Sequence, residues 1–182
     1  MARSTPAIKF TYADYRNTPD DKRYELLDGD LVMTPAPGTA HQRVSRNLTM
    51  LLGQSVELTG AGEIFVAPFD VVLSDTDVVQ PDLLFVSNER ANIITDENVQ
   101  GAPDLVVEIL SPSTAERDQT FKRSLYAKYG VKEYWLVDTD AKTVTVLLRD
   151  DHGFTLAGTY GRGQILTSST LTEFTMDPTE IF

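Results

Sequence analysis

The chain has 182 residues, of which 41% are hydrophobic and 24% are charged, and these values are typical of one globular domain. It contains no cysteine, which excludes disulfides, zinc–thiolate sites and a thiol nucleophile. The formal net charge is −11, which disfavours, without excluding, a nucleic-acid surface built on Lys and Arg.

No linker or repeat interrupts the chain, so residues 1–182 are expected to form a single domain, with 1–20 as a loosely held N-terminal arm carrying a short helix. No apolar run approaches the roughly 18 residues of a membrane-spanning helix, and residues 1–10 lack the apolar segment of a signal peptide. We therefore expect a cytoplasmic protein with no membrane partner.

The first half of the chain predicts a hairpin, a long helix and short strands. Asp28-Gly29 between two apolar stretches is a strong turn signal. Val44, Leu48 and Leu52 recur at helical spacing. The predicted elements are a hairpin over 24–33, a helix over 39–58, two strands within 64–73 split at Pro68, and a strand over 83–86.

The second half begins with residues 105–110, a nearly continuous apolar run that predicts a central strand covered on both faces. Ser113-Thr114-Ala115-Glu116 reads as a capping box that opens a helix ending at Gly130. Further strands are predicted over 133–137 and 143–148, with a β-rich piece over 154–174. The order predicts an α/β (α+β) fold: a mixed central sheet flanked by helices, with an extra N-terminal hairpin and C-terminal β strands.

Two acidic residues lie in apolar segments, where burying a carboxylate costs free energy. Asp82 follows Pro81 at the start of an apolar strand, and Glu108 lies inside the apolar run 105–110. Buried carboxylates cost several kcal/mol unless they are paired, hydrogen-bonded or bound to metal. A shared Mg²⁺ or Mn²⁺ would relieve this cost, and without it the two acids are expected to repel each other.

Lys122 is the third candidate, because it shares a helical face with Leu125, Tyr126 and Tyr129 and is therefore expected to point towards the sheet. Taken singly, each residue has a structural alternative: Asp82 as a turn cap, Glu108 as an acid paired to an arginine, and Lys122 as a solvated residue. The secondary candidates are Glu25, Gln80, Asp70 and His41, the last also readable as a polar first-turn residue; His152 is assigned no role.

Pro81-Asp82 followed by Glu108-Ile109-Leu110 on an apolar strand resembles the PD-(D/E)XK pattern of restriction-endonuclease-like nucleases. More narrowly, the chain is similar to the endonucleases called the Uma-two family over about residues 10–175. The segments that carry this similarity are 24–29, 80–83, 107–113 and 133–138.

The resemblance implies phosphodiester hydrolysis with a divalent metal. Asp82, Glu108 and the Ile109 carbonyl would hold Mg²⁺ (or Mn²⁺), and Lys122, with Glu25, would position the attacking water. The wider pattern has a lysine where this chain has Leu110, and Lys122 is the best-placed substitute. Two alternatives stay open. The first is a catalytically inactive binding or assembly module with the nuclease fold, which the missing lysine and the net charge both favour. The second is a metal-dependent hydrolase of small phosphoesters, with which the acidic charge conflicts less because a small substrate touches less surface.

The expected macromolecular partner is DNA, bound weakly and only with metal. The predicted contact is a basic patch on the helix after Glu108, formed by Arg117, Lys122, Arg123 and Lys128. A homodimer would present two such patches to the two strands of a duplex. In the strand 133–137, alternate residues face opposite ways, so we expect Trp135 inside the domain and Tyr134 towards the other helix layer.

Overall fold

The computed structural model describes residues 8–19 and 22–182. Its α-helices are α1 (Tyr12–Tyr15), α2 (Thr39–Thr59), α3 (Ala115–Arg117) and α4 (Arg123–Tyr129), with a π-helical turn, Asp118–Lys122, between α3 and α4. Short 3-10 helices cover Asn88–Ile93 and Pro178–Glu180. The strands are β1 (Arg23–Leu27), β2 (Asp30–Thr34), β3 (Gly62–Val66), β4 (Val71–Ser74), β5 (Asp77–Val79), β6 (Leu83–Ser87), β7 (Val99–Gln100), β8 (Leu105–Ile109), β9 (Glu133–Asp138), β10 (Thr143–Asp150), β11 (Gly153–Tyr160), β12 (Leu166–Thr167) and β13 (Thr175–Met176).

The strands form two main sheets. The larger has the order β11-β10-β9-β8-β6-β3, in which β8 and β9 run parallel and the other neighbours antiparallel. The smaller has the order β2-β1-β5-β4-β7, and β12 pairs with β13. Mixed sheets flanked by helices confirm the predicted fold class. The N-terminal hairpin, however, belongs to the smaller sheet, which also contains the unpredicted strands β5 and β7.

The larger sheet is apolar on both faces. Val107 and Ile109 of β8 pack in one core cluster with Leu48 of α2, whereas Val106 packs in the other cluster with Tyr126 of α4. This double burial explains the nearly uninterrupted apolar sequence of β8, as expected for a central strand. Every residue of β8 is buried, including Glu108.

Trp135 and Tyr134 are both fully buried and lie on opposite faces of β9. Trp135 joins the α2 side of the core and Tyr134 the α4 side, which confirms the prediction made from strand alternation.

The helix that follows β8 departs from its predicted start. Thr114, rather than Ser113, is the N-cap of α3, and its side chain makes no capping hydrogen bond. The carbonyl of Ser111 accepts the N–H groups of Thr114 and Ala115 at 3.1 and 2.9 Å. The predicted capping box is therefore wrong, although the helix does end at Gly130, which adopts the left-handed conformation.

The described part of the N-terminal arm contains the predicted short helix, α1. Contrary to expectation this part is not loosely held: the N–H of Phe10 donates to Gly29 and the N–H of Tyr12 donates to Asp75. Residues 1–7 and 20 of the predicted arm lie outside the described residues. Among the helices of residues 8–19 and 22–182, none combines the length and apolar character that a bilayer crossing requires.

Candidate active site

A cavity of about 230 Å³ opens where β6 begins and β8 ends. The loop Pro35–Gly38, the first turn of α2 and the π-helical turn complete its walls. It brings together seven of the predicted residues: Glu25, His41, Gln80, Asp82, Glu108, Ile109 and Lys122. Asp70 lies outside this cavity.

The register of the sheet places the two predicted acids side by side. Leu83 of β6 is paired with Val107 of β8 in an antiparallel ladder. Continuing this register by one position sets Asp82 opposite Glu108. Cβ atoms of such opposed residues lie about 4.5–5.5 Å apart, so both carboxylates reach the same cavity.

Glu108 is fully enclosed and uses one carboxylate oxygen for contacts with the protein. Its Oε1 accepts hydrogen bonds from Lys122 Nζ at 2.9 Å and from the hydroxyl of Tyr126 at 2.7 Å. From the sequence, Glu108 is expected to be only a repulsive neighbour of Asp82 when no metal is bound. The structure differs, because two buried donors hold the Glu108 carboxylate in place.

Lys122 points inward, as its helical face predicted, and is surrounded by acids. Its ammonium lies 2.7 Å from Glu25 Oε1, 2.9 Å from Glu108 Oε1 and 3.7 Å from Asp118 Oδ1. Burial alone would lower the pKa of Lys122, but these carboxylates outweigh it and raise the pKa above its ordinary value. Lys122 thus stays positively charged at neutral pH.

Burial has the opposite consequence for the acids. It raises the pKa of Glu108 well above the ordinary value, against the lowering effect of Lys122, and the charges of Asp118 and Asp82 add to the increase. Burial also raises the pKa of Asp118. The enclosed cation Lys122 therefore does not fully offset the cost of burying charged carboxylates around it.

Asp82 is fixed from two directions. Its Oδ2 accepts the backbone N–H of Ile109 at 2.7 Å and lies 3.1 Å from Nε2 of His41 in the first turn of α2. His41, a secondary candidate from the sequence, is thereby a neighbour of the principal acid. Its Nδ1 is buried and has no hydrogen-bond partner within residues 8–19 and 22–182.

Glu25 enters the cavity from the smaller sheet. Its Oε1 accepts the backbone N–H of Gln80 at 2.9 Å in addition to the contact with Lys122, and its Oε2 lies 3.6 Å from Arg117. Glu25 thereby connects the strand before Asp82 with the helix that carries Lys122. Asp70, by contrast, pairs with the hydroxyl of Tyr15 at 2.7 Å, away from the two acids.

Two residues of the site were not among the predicted catalytic set, Asp118 and Tyr126. Asp118 lies one turn before Lys122, at the start of the π-helical turn, and its spacing from Lys122 was a usable signal. Its Oδ1 is buried without a hydrogen-bond partner among the described residues. The helical pattern predicts Tyr126 only as a core residue, and no local signal indicates that its hydroxyl donates to Glu108. π-helical turns are frequently found at functional sites.

The predicted basic patch is wrong. Lys122 is buried and bound to acids, Arg117 lies against Glu25, and Arg123 donates to the carbonyl of Phe154 at 2.7 Å. Of the four residues, Lys128 alone is largely exposed, with 65% of its side chain accessible. Two of the helix cations pair with buried acids and a third donates to a sheet carbonyl, so the helix does not present a row of free charges to phosphates.

The donor chemistry of the cavity fits a hard divalent cation. Asp82 Oδ1 and Glu108 Oε2 accept no hydrogen bond from any described residue, so each acid keeps one oxygen available. Carboxylate and carbonyl oxygens suit Mg²⁺, which commonly takes one or two carboxylates and retains several waters. Within the described ranges no three His, Cys, Asp or Glu side chains form a ready-made ligand set, so backbone and water would complete the coordination.

The overall arrangement is also found in a solved structure. The chain matches the crystal structure of a "putative nuclease belonging to DUF820" from Anabaena variabilis with a TM-score of 0.79 and 19% identity, over 95% of this chain and 97% of that one. This similarity shows that the two chains share a fold.

The family model for Uma2, described as "Putative restriction endonuclease", matches residues 11–179, so the chain belongs to the Uma2 family. A curated relative, the uncharacterized protein sll1609 of Synechocystis sp., is 25% identical over 132 residues, which is 70% of this chain and 74% of the relative.

Proposed function

We propose that this protein is a divalent-metal-dependent endonuclease that hydrolyses DNA phosphodiester bonds. The observation that carries the proposal is the meeting of Asp82, Glu108 and Lys122 in one cavity, where one carboxylate oxygen of each acid has no donor among the described residues. Membership of a family described as restriction endonucleases supports the nuclease class and DNA as the polymer.

Asp82, Glu108 and the carbonyl of Ile109 would hold Mg²⁺ or Mn²⁺. When bound there, the ion would supply Lewis-acid stabilisation of the charge that develops on the phosphoryl oxygens. His41 and the Ile109 N–H would fix the orientation of Asp82, and Tyr126 would do the same for Glu108. Ligands oriented in this way bind metal more tightly than free side chains do.

Lys122 would act through its charge. Because its pKa is raised, it does not take a proton from water at neutral pH; its N–H groups orient the attacking water and stabilise negative charge on the phosphate. The water oxygen forms a bond to phosphorus, and the bond from phosphorus to the leaving sugar oxygen breaks. The water loses a proton to solvent, and the leaving oxygen takes one up. Glu25 is a positioning residue that holds Lys122.

The mouth of the cavity offers neutral donors to phosphate oxygens. Ser111, Ser113 and Thr114 line it with hydroxyl groups, and Arg23 adds one cation. Hydroxyl donors of this kind position a nucleic-acid backbone without a large positive surface. They would allow a chain with a net charge of −11 to bind a DNA backbone at this site.

The catalytically inactive module is disfavoured by Lys122. A scaffold that needs only stability is served at least as well by well-packed apolar residues as by a lysine buried 2.9 Å from Glu108 among three acids. The lysine absent at position 110 is compensated by one from the helix, which supports turnover.

The test is cleavage of supercoiled plasmid in Mg²⁺ or Mn²⁺, by the wild type and by Asp82→Asn, with Asp151→Asn in an exposed turn as the matched control. We expect nicked and linear product from wild type and control, and none from Asp82→Asn or with chelator. Cleavage of bis(p-nitrophenyl) phosphate with no cleavage of any DNA would replace DNA by a small phosphoester. Failure to cleave either substrate in any divalent metal would contradict the proposal.

A further inference from the structure

A second cavity lies on the other side of Arg23 and Gln80. Its volume is about 390 Å³, and its walls include Tyr12, Tyr15 and Tyr24 together with Arg16, Lys22 and Arg23. Arg23 and Gln80 line both this cavity and the candidate active site. We call it the tyrosine cavity.

The charge of the tyrosine cavity differs from that of the whole protein. Three cations, Arg16, Lys22 and Arg23, line it against two acids, Asp70 and Glu97. The chain as a whole carries −11. A local cationic excess in an acidic protein, beside a candidate phosphodiesterase site, suits a phosphate group.

The two acids already have partners in the protein: Asp70 accepts hydrogen bonds, and Glu97 lies near a cation. Asp70 Oδ1 accepts hydrogen bonds from the hydroxyl of Tyr15 at 2.7 Å and from Gln80 Nε2 at 2.8 Å. Glu97 lies 3.6 Å from Arg16 at the surface. Their repulsion of a phosphate is therefore weaker than that of free carboxylates.

Aromatic side chains line the same cavity; Tyr12 and Tyr24 are part-exposed, whereas Tyr15 is buried. Tyr24 is part-exposed on β1, next in sequence to Arg23 and Glu25. Tyr12 and Tyr15 lie stacked with ring centroids 6.3 Å apart. Aromatic faces combined with Arg and Lys are what proteins use to bind unpaired nucleotides, because every base can stack and every nucleotide has a phosphate. The volume of the cavity is in the range of small-molecule pockets, which accommodate a single nucleotide.

We infer that the tyrosine cavity binds an unpaired DNA nucleotide that flanks the phosphate in the active site, with its base against Tyr24 and its phosphate between Arg16 and Arg23. This inference rests on the proposed function and specifies its substrate as DNA with a single-stranded segment. A base inside a duplex is stacked on both sides and does not reach the rings, so an intact duplex forgoes this contact.

The test compares Arg16→Gln and Tyr24→Leu with Arg162→Gln, an exposed arginine outside both cavities. Affinity for a labelled single-stranded oligonucleotide and for its duplex is measured by fluorescence anisotropy in Ca²⁺, which limits turnover. We expect Tyr24→Leu to weaken single-strand binding by about tenfold and duplex binding far less. Arg16→Gln should reduce the slope of log affinity against log salt by about 0.7, the value for one phosphate contact on a single strand. Arg162→Gln should change neither quantity.

Equal single-strand affinity for Tyr24→Leu, Arg16→Gln and wild type would overturn the inference, as would equal losses for Arg162→Gln. Arg16 is exposed, so its replacement leaves the fold intact and keeps the test valid if Tyr24→Leu unfolds. The outcome is separable from that of the proposed function. A wild type that cuts plasmid, but whose affinity for single strands does not depend on Arg16 or Tyr24, refutes the cavity alone. A wild type that binds single strands through both residues but cuts nothing refutes catalysis alone.

Discussion

Lys122 Nζ lies 2.9 Å from Glu108 Oε1 in the interior of the protein, and the two residues come from different elements, a helix and the central strand. The same ammonium is 2.7 Å from Glu25 on the smaller sheet. One buried cation thereby connects both sheets with the helical segment that carries it. This arrangement gives Lys122 a structural role in addition to its proposed role in hydrolysis, and the two roles can be separated by measurement.

Replacing Lys122 by Met should destabilise the metal-free protein. The change leaves Glu25, Glu108 and Asp118 buried without their cation, and breaking a buried ion pair costs about 3–5 kcal/mol. Urea unfolding in chelator measures the effect, with Lys128→Met on the exposed face of α4 as control. Added Mn²⁺ should restore part of the loss, since it supplies positive charge. A change no larger than that of the control would show that the acids do not depend on Lys122.

Asp104 should make the folding stability depend on pH, and it does so through contacts outside the candidate active site. Burial alone would raise the pKa of Asp104, but Lys132 at 2.7 Å, the backbone N–H of Ser87 and Arg90 lower it overall. A lowered pKa in the folded state stabilises the protein above the unfolded pKa near 3.8, and this stability is lost as the pH falls through the folded pKa.

Asp104→Asn should therefore cost more stability at pH 7 than at pH 3. Urea unfolding at the two pH values measures the difference, and Asp151→Asn should show the same small effect at both. A destabilisation by Asp104→Asn that is identical at pH 7 and pH 3 would exclude the ionised form as the stabilising one.

Replacing His41 should lower the affinity for a divalent metal even though His41 is not itself a proposed metal ligand. Removing a hydrogen-bond partner of a metal ligand typically costs 10–100-fold in affinity. We expect His41→Ala to weaken Mn²⁺ binding by about tenfold, because Asp82 loses the contact 3.1 Å from its Oδ2. His152, the other histidine, lies in an exposed turn and supplies the control variant His152→Ala. Calorimetric titration distinguishes them, and equal affinities would remove His41 from the site.

The single tryptophan reports on the core. Trp135 is fully buried, and its Nε1–H donates to Glu133 Oε1 at 2.7 Å. Acrylamide should quench its fluorescence weakly in the native protein and strongly in guanidinium. Strong quenching of the native protein would contradict the packing of β9 between the two helix layers.

The sequence predicted the parts of the site that depend on local pattern. Glu108 was identified because it is an acid within an apolar strand, and Asp82 because it is an acid at the start of one. The helical spacing of Lys122 and Tyr126 predicted that Lys122 points inward. The approach of His41 to Asp82 joins residues 41 positions apart, and no local pattern specifies it.

Charge placement was the least predictable feature. The number of cations can be read from a sequence, but which of them pair with buried acids or carbonyls cannot. The predicted basic patch around Arg117 and Arg123 was wrong for this reason. The π-helical turn and the placement of the N-terminal hairpin in the smaller sheet likewise depend on tertiary contacts, which override local preference. The cations of the tyrosine cavity are distant from that helix in the sequence.

The most direct test of the account is a calorimetric titration with Mn²⁺ that compares the wild type, Asp82→Asn, Glu108→Gln and Asp151→Asn. The account predicts that wild type and Asp151→Asn bind a divalent ion with similar affinity, and that each of the other two variants loses at least about tenfold, since each removes a carboxylate ligand. Circular dichroism confirms that the four proteins are folded. Equal Mn²⁺ affinity in all four proteins, or no binding by the wild type, would contradict the claim that Asp82 and Glu108 hold the catalytic metal.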